Sequence, residues 1–147
     1  MRIQILLVIL LTTILFVSCK KDDPVLERDK FIGKWSGNLE TSIKLNGQDI
    51  QYETIDIIET ITAGAEANQI LFSKNTANEI IAIVSDSTFN IQEQEQINIL
   101  QEKMYIATIT GTGILSQNHD LTISTKRVTI DNGDTIEWIC TESLKLR

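Results

Sequence analysis

Two thiols, one imidazole and a scatter of carboxylates are the groups in this chain that could do chemistry. Cys19 ends the run Phe16-Val17-Ser18-Cys19 and is followed at once by Lys20-Lys21-Asp22-Asp23. Cys140 lies in Ile136-Glu137-Trp138-Ile139-Cys140, on the same alternate face as Trp138, and reads as a buried small hydrophobe. His119, the one histidine, sits in the turn-like Asn118-His119-Asp120 and offers neither thiol a base. Glu53, Asp56, Glu59, Glu137 and Glu142 are the carboxylates that folding could bring together, as an acid/base dyad requires. Glu142 falls on the apolar face of the last strand, either as a lumen group or, the favoured reading, at a rim. No serine elbow exists for a hydrolase triad. Asp22-Asp23 and Asp131-x-x-Asp134 read as tether and turn, and no histidine or cysteine pair joins them as metal ligands. The expectation is a protein with no catalytic residue, no metal and no cofactor.

The setting of Cys19 is more specific. Met1-Arg2 is a short basic start, and Ile5 to Val17 is almost wholly apolar. That run is short for a membrane span, which needs about 20 apolar residues, and suits a signal segment with a core of roughly 7–15. Basic start, apolar stretch, small residue and cysteine together resemble a bacterial lipoprotein signal. The resemblance implies that residues 1–18 are removed and that Cys19 becomes the lipidated first residue. Several palmitate-type acyl chains would anchor it stably, where one chain binds only marginally. Lys20-Lys21-Asp22-Asp23 also resembles the charged stretch of surface-displayed lipoproteins of Bacteroidetes-type bacteria. The expected location is a lipid-anchored protein of the outer membrane, facing either the periplasm or the cell surface. Residues 19–29, through Pro24, read as the tether.

Removing the signal leaves roughly 129 residues, enough for one domain with one core over 30–147. The formal charge of the whole chain is −7, which argues against nucleic acid as a partner. Lys126-Arg127 is the domain's basic pair and reads as a solvated strand surface. With Cys19 acylated, Cys140 is left alone and no disulfide framework is available.

The domain reads as strands joined by turns. From Gly33 to Leu45, Trp35, Leu39, Ile43 and Leu45 alternate with polar residues, the pattern of a half-buried strand. Asn46-Gly47 is a strong hairpin signal. The next strand, about Gln48 to Thr62, moves its apolar set from even positions (Ile50, Tyr52) to odd ones (Ile55, Ile57, Ile61), which predicts a bulge near Thr54-Ile55. A loop at Ala63 to Asn68, strands at Gln69–Ser73 and Glu79–Val84 around an Asn75–Asn78 turn, and a strand at Thr88–Gln92 follow. Residues 92–102 are ambiguous, because Ile97, Leu100 and Met104 could form a helical stripe while Ile97 and Ile99 alternate as in a strand. Lys103 to Leu115, Leu121 to Ile130 and a last strand carrying Ile136, Trp138, Cys140, Leu144 and Leu146 complete the set, with Asp131-Asn132-Gly133-Asp134 as another hairpin turn. Sequential hairpins predict an all-β fold, an antiparallel up-and-down barrel of about eight strands.

Phe31-Ile32-Gly33-Lys34-Trp35 resembles the Gly-x-Trp opening of lipocalins. Together with the signal, the Gly111-Thr112-Gly113-Ile114-Leu115 stretch and the terminal strand, it makes the chain similar to small lipocalin-like lipoproteins of Bacteroidetes-type bacteria. The resemblance implies that a helical turn leads into the first strand and that Trp35 closes one end of the barrel. An arginine of the last strand, for which Arg147 is the candidate, would stack on it. Gly33 and Trp35 would then be fold determinants. The expected function is binding of a small hydrophobic ligand, with Trp138, Tyr52 and Phe89 as candidate contacts. The alternative is a filled barrel that engages another envelope protein, an enzyme or a glycan. Aromatic residues make up 5% of the chain, which leaves few large side chains to plug a lumen and favours the first reading.

Overall fold

A computed structural model describes residues 26–72 and 79–147. The signal, Cys19 and the Asn75–Asn78 turn lie outside the described residues. Eight strands form one closed antiparallel barrel in chain order: β1 (Gly33–Leu45), β2 (Gln48–Ala63), β3 (Gln69–Phe72), β4 (Ile80–Ser85), β5 (Thr88–Leu100), β6 (Lys103–Leu115), β7 (Asp120–Asp131) and β8 (Asp134–Leu146). β1 pairs with β8, which closes the cylinder. The expected fold class is therefore present.

The hairpins follow from local chemistry. Asn46 (φ 51°) and Gly47 (φ 82°), and Asn132 (φ 53°) and Gly133 (φ 92°), adopt the left-handed conformations that two-residue turns need. Gln101 and Glu102 do the same at φ 49° and 65° without a glycine, and the β5–β6 hairpin forms on its ladder. That ladder also settles residues 92–100, which are strand throughout. Ile97 and Leu100 point to opposite faces, so the helical stripe does not exist. A register shift between Ile91 and Gln94 switches β5 from an apolar inner face (Phe89, Ile91) to a polar one (Gln94, Gln96, Asn98).

The bulge expected near Thr54-Ile55 is absent, since the β1–β2 register runs unbroken from Gln51 to Ile61, and the irregularity lies nearer the turn. The register shifts where Ile43 faces Gln51 and Lys44 faces Asp49, which makes Ile50 the extra residue. Past it, Tyr52 pairs with Ser42 on the outer face of β1.

β3 and β4 are much shorter than the other strands. β3 pairs with β2 only at Ile61–Ala63, and β4 pairs with β5 only from Ile91 back to Thr88. One end of the barrel is therefore laddered all round, and the other lacks wall between β2 and β5 among the described residues. The sealed end holds the main core: Phe31, Trp35, Ile61, Ile70, Phe72, Phe89, Ile109, Leu121, Ile123 and Leu144. Phe89 packs edge-on to Phe31 at 5.4 Å between ring centroids and against Phe72 at 5.2 Å. Each such side chain contributes roughly 1.5–3 kcal/mol by leaving water.

A 3-10 turn, Glu27–Lys30, caps this end, as the lipocalin resemblance implied. Arg28 Nη1 donates to the carbonyls of Gly64 (3.0 Å) and Glu66, and the Glu27 carboxylate accepts from the Asp86 amide at 2.7 Å. The barrel's packing thus takes in part of the span expected as tether. Trp35 is fully buried and its indole N–H donates to the Phe31 carbonyl at 2.8 Å. Gly33 has φ 149°, a conformation that L side chains rarely adopt, and a Cβ there would lie 2.9 Å from Leu146. Arg147 does not take the stacking role. It is exposed and lines a cleft of about 610 Å³ on the outer wall with Ser36, Asn38, Asp56 and Ile58.

Gly113 is the seat of Phe89: a Cβ there would fall 2.0 Å from the ring. Gly113→Ala is expected to destabilise the barrel by about 1–3 kcal/mol, the usual overpacking cost. Urea denaturation would show a lower midpoint, and Phe89→Leu would cost less in the Gly113→Ala background than alone.

Candidate functional site

Inside the barrel, period-two alternation sorts side chains into layers. Residues directly opposite in an antiparallel ladder share a face. The inner face of β8 carries Ile136, Trp138, Cys140, Glu142 and Leu144, all buried. β7 contributes Leu121, Ile123, Thr125 and Arg127, and β6 contributes Ala107 and Ile109. Between the sealed core and the open end lies a polar level: Glu59 (2% exposed), Gln96 (2%), Thr125 (4%) and Glu142 (1%). Buried carboxylates are costly unless compensated, and Glu59, Gln96 and Glu142 each have interaction partners. Glu142 is thus not a rim residue. Its neighbours across the ladders are Ile123 and Leu39, well inside the barrel.

Above this level is a second apolar cluster of Ile43, Ala107, Ile136, Trp138 and Cys140, with Leu39, Leu45, Leu100 and Tyr105 packed on it. Tyr105 and Trp138 rings lie 6.0 Å apart. The open end forms a mouth pocket of about 260 Å³, lined by Leu45, Ile50, Leu100, Gln101, Tyr105, Asp131, Asp134 and Ile136. Ile50 reaches it because the bulge places it there.

The mouth is braced on one side. Asn46 Nδ2 donates to Asp134 Oδ1 at 2.8 Å, and the Thr135 amide donates to Asn46 Oδ1 at 2.9 Å, which joins two turns. Lys103 pairs with Asp131, and that hydrogen-bonded carboxylate holds the ammonium above its ordinary range. The side facing the gap is less closed. Gln51, Glu53 and Ile55 oppose Ile43, Thr41 and Leu39 on the inner face, yet all three are exposed.

The candidate contacts separate. Trp138 is 4% exposed and lies beneath the mouth. Phe89 belongs to the sealed core and is corrected from ligand contact to plug. Tyr52 is 66% exposed on the outer wall, because the bulge precedes it and leaves it opposite Ser42. The five carboxylates do not converge as one group: Glu59 and Glu142 are inside, Asp56 lines the outer cleft, and Glu137 is bonded to Lys126 at 2.6 Å. The basic pair also divides. Lys126 faces solvent, whereas Arg127, opposite Trp138, faces the lumen. Its Nη1 donates to Cys140 Sγ at 3.4 Å, and Cys140 Sγ lies 3.6 Å from Thr41 Oγ1. Cys140 is 1% exposed, the buried small residue expected. Among the described residues no group of three or more His, Cys, Asp or Glu could hold a metal ion.

The polar level was missed from sequence. Strand alternation places Gln96 inside only once the β5 bulge is known, and Arg127 only once β7 is registered on β8. Comparisons with protein-family models, curated proteins and solved structures found no match.

With Cys19 replaced by Ala in the full chain, a disulfide reagent is expected to modify Cys140 only as fast as the barrel opens, more than a hundredfold slower than in denaturant. A burst of labelling on the native protein would contradict the burial.

Proposed function

We propose that this chain is a membrane-tethered, lipocalin-like lipoprotein whose barrel takes a small, largely apolar ligand through its open end. The mouth pocket above Trp138 is the observation that carries the reading. It is concave, its walls are mainly aliphatic and aromatic, and a few polar groups (Gln101, Asp131 and Asp134) stand at its rim. The sealed core is too well filled to take a guest, so the ligand belongs at the mouth. About 260 Å³ suits a molecule smaller than most drugs. The junction at Cys19 supports the tether, and with it an outer-membrane location facing the periplasm or the surface.

A second reading, docking to another envelope protein, is favoured by one feature. Ile99 (68% exposed) faces Met104 (71%) and Ile97 (37%) faces Ile106 (66%) across the outer face of β5–β6. Apolar cross-strand pairs on the solvent side are a recognised mark of an interaction surface.

Native mass spectrometry of the full chain released from membranes is expected to show a small apolar adduct that Trp138→Ala sheds. Retention of the adduct by Trp138→Ala, with loss on Ile99→Lys, would move the site to the outer face. Metabolic labelling with an alkyne fatty acid is expected to mark the wild type and not Cys19→Ala. Equal labelling of the two would remove the tether.

A further inference from the structure

We propose that the unpaired edge of β2 is a docking site for an extended, basic peptide segment of another protein, which adds to the sheet as a strand. Tyr52 to Asp56 line no part of the mouth pocket, and the ligand-binding reading stands or falls without this edge. β2 pairs with β1 from Gln48 to Ile61 but with β3 only at Ile61–Ala63. The Gly64 amide donates to the Gln69 carbonyl at 2.8 Å, so by strand alternation the even-numbered residues of β2 turn their N–H and C=O away from β1. Tyr52, Thr54 and Asp56 therefore present a row of main-chain donors and acceptors with no ladder partner on that side among the described residues. The six residues between Phe72 and Glu79 must leave and return, so their length alone limits them to about three further positions on β2, short of Ile57.

Both faces of this stretch are open too. Tyr52, Thr54 and Asp56 are exposed on the outside, and Gln51, Glu53 and Ile55 are exposed on the inside. Sheet edges are usually blunted by lysine, proline or a covering loop, because a bare edge templates another strand. β2 holds neither lysine nor proline. An inward-pointing charge is a further guard, and Glu53 supplies one. That guard turns away a like-charged strand and admits an oppositely charged one. In strand addition the main-chain bonds give affinity and alternate side chains give selectivity.

Charge selects the occupant. β2 to β5, the four strands around the gap, carry Asp49, Glu53, Asp56, Glu59, Glu93 and Glu95 and no lysine or arginine. Lys44 meets Asp49 at 3.6 Å and Arg147 shares the outer cleft with Asp56, whereas no ion pair engages Glu53, Glu93 or Glu95 among the described residues. A second copy docked edge to edge would set these carboxylates against themselves. A strand alternating Lys or Arg with β-branched residues brings its cations, according to register, beside Glu53 on the inner face or Asp56 on the outer.

The probes are three short, capped, dye-labelled peptides: alternating Lys-Val, alternating Glu-Val, and a Lys-Val peptide N-methylated at every residue, which keeps its charge but has no main-chain donors. Binding to the full chain in a neutral detergent is read by fluorescence anisotropy, and its place by amide hydrogen exchange. Lys-Val is expected to bind at least tenfold more tightly than either control and to slow exchange at Tyr52, Thr54 and Asp56. Thr54→Pro removes a donor that faces away from β1 and is expected to weaken Lys-Val at least tenfold, with the urea midpoint of the barrel little changed. Glu53→Lys is expected to move the preference toward Glu-Val. Failure of Lys-Val to bind, or equal binding of its N-methylated form, would overturn strand addition. Equal binding of Glu-Val would overturn the basic occupant. Slowed exchange at the same amides without peptide, with a dimer by sedimentation that Thr54→Pro dissolves, would give the edge to a second copy and overturn the proposal.

Discussion

The length mismatch within the sheet governs everything else in this barrel. A cylinder needs each strand hydrogen-bonded on both sides, but β3 has four residues and β4 six, against twelve to sixteen for the rest. Their ladders reach only Ile61–Ala63 of β2 and Thr88–Ile91 of β5. Below that line the circumference is complete and the interior is filled by the buried apolar cluster. Above it, β2 and β5 have no further ladder partner on that side among the described residues, and their inner faces carry Gln51, Glu53, Gln94, Gln96 and Asn98. Gln94 marks the transition: its side-chain amide accepts from the Ile81 amide at 3.0 Å and donates to the Ile81 carbonyl at 2.8 Å. A side chain thus extends by one step the ladder that β4 can no longer supply.

This division gives the two ends different chemistry. The sealed end is built for cohesion, with three phenylalanines and Trp35 in one buried cluster and a 3-10 turn bound across two loops. The open end carries a smaller apolar cluster set on a level of Glu59, Gln96, Thr125 and Glu142. A protein selected only for stability gains nothing from such a level, since well-packed apolar residues of similar volume usually do as well or better. Polar groups retained between two apolar layers make sense where something polar has to be held there. Thr125 is the member of this level whose one side-chain polar atom has no hydrogen-bond partner among the described residues.

Much of the fold could be read from the chain because its cues are local. Asn-Gly turns, strict alternation in β1 and β8, and the Gly33-Trp35 opening depend on neighbours in sequence. The site depends on register, which is not local. Tyr52 and Ile50 share a parity in sequence but are sent to different surroundings by one extra residue next to a turn. Lys126 and Arg127 look like one basic patch, yet adjacent strand residues point to opposite faces, so one meets Glu137 outside and the other Cys140 inside. Glu142 looked like a rim residue because a lone carboxylate on an apolar face is cheapest there. Its true depth follows from pairing with Ile123 and Leu39. Phe89 looked available because nothing in its own strand shows that Gly113 of the next strand makes a seat for its ring.

The topology also orients the mouth. The chain enters the barrel through the 3-10 turn at the sealed end, and β1 carries it from Gly33 to Leu45 at the opposite rim. Thirteen residues of tilted strand raise that rim by about 30 Å. On the proposed tether at Cys19, the sealed end would be the one nearer the bilayer and the mouth the one farther from it. Acidic charge on the domain opposes its lying down on an anionic leaflet. A ligand would then arrive from the aqueous side, or from a partner above the membrane, and would not be drawn sideways out of the lipid.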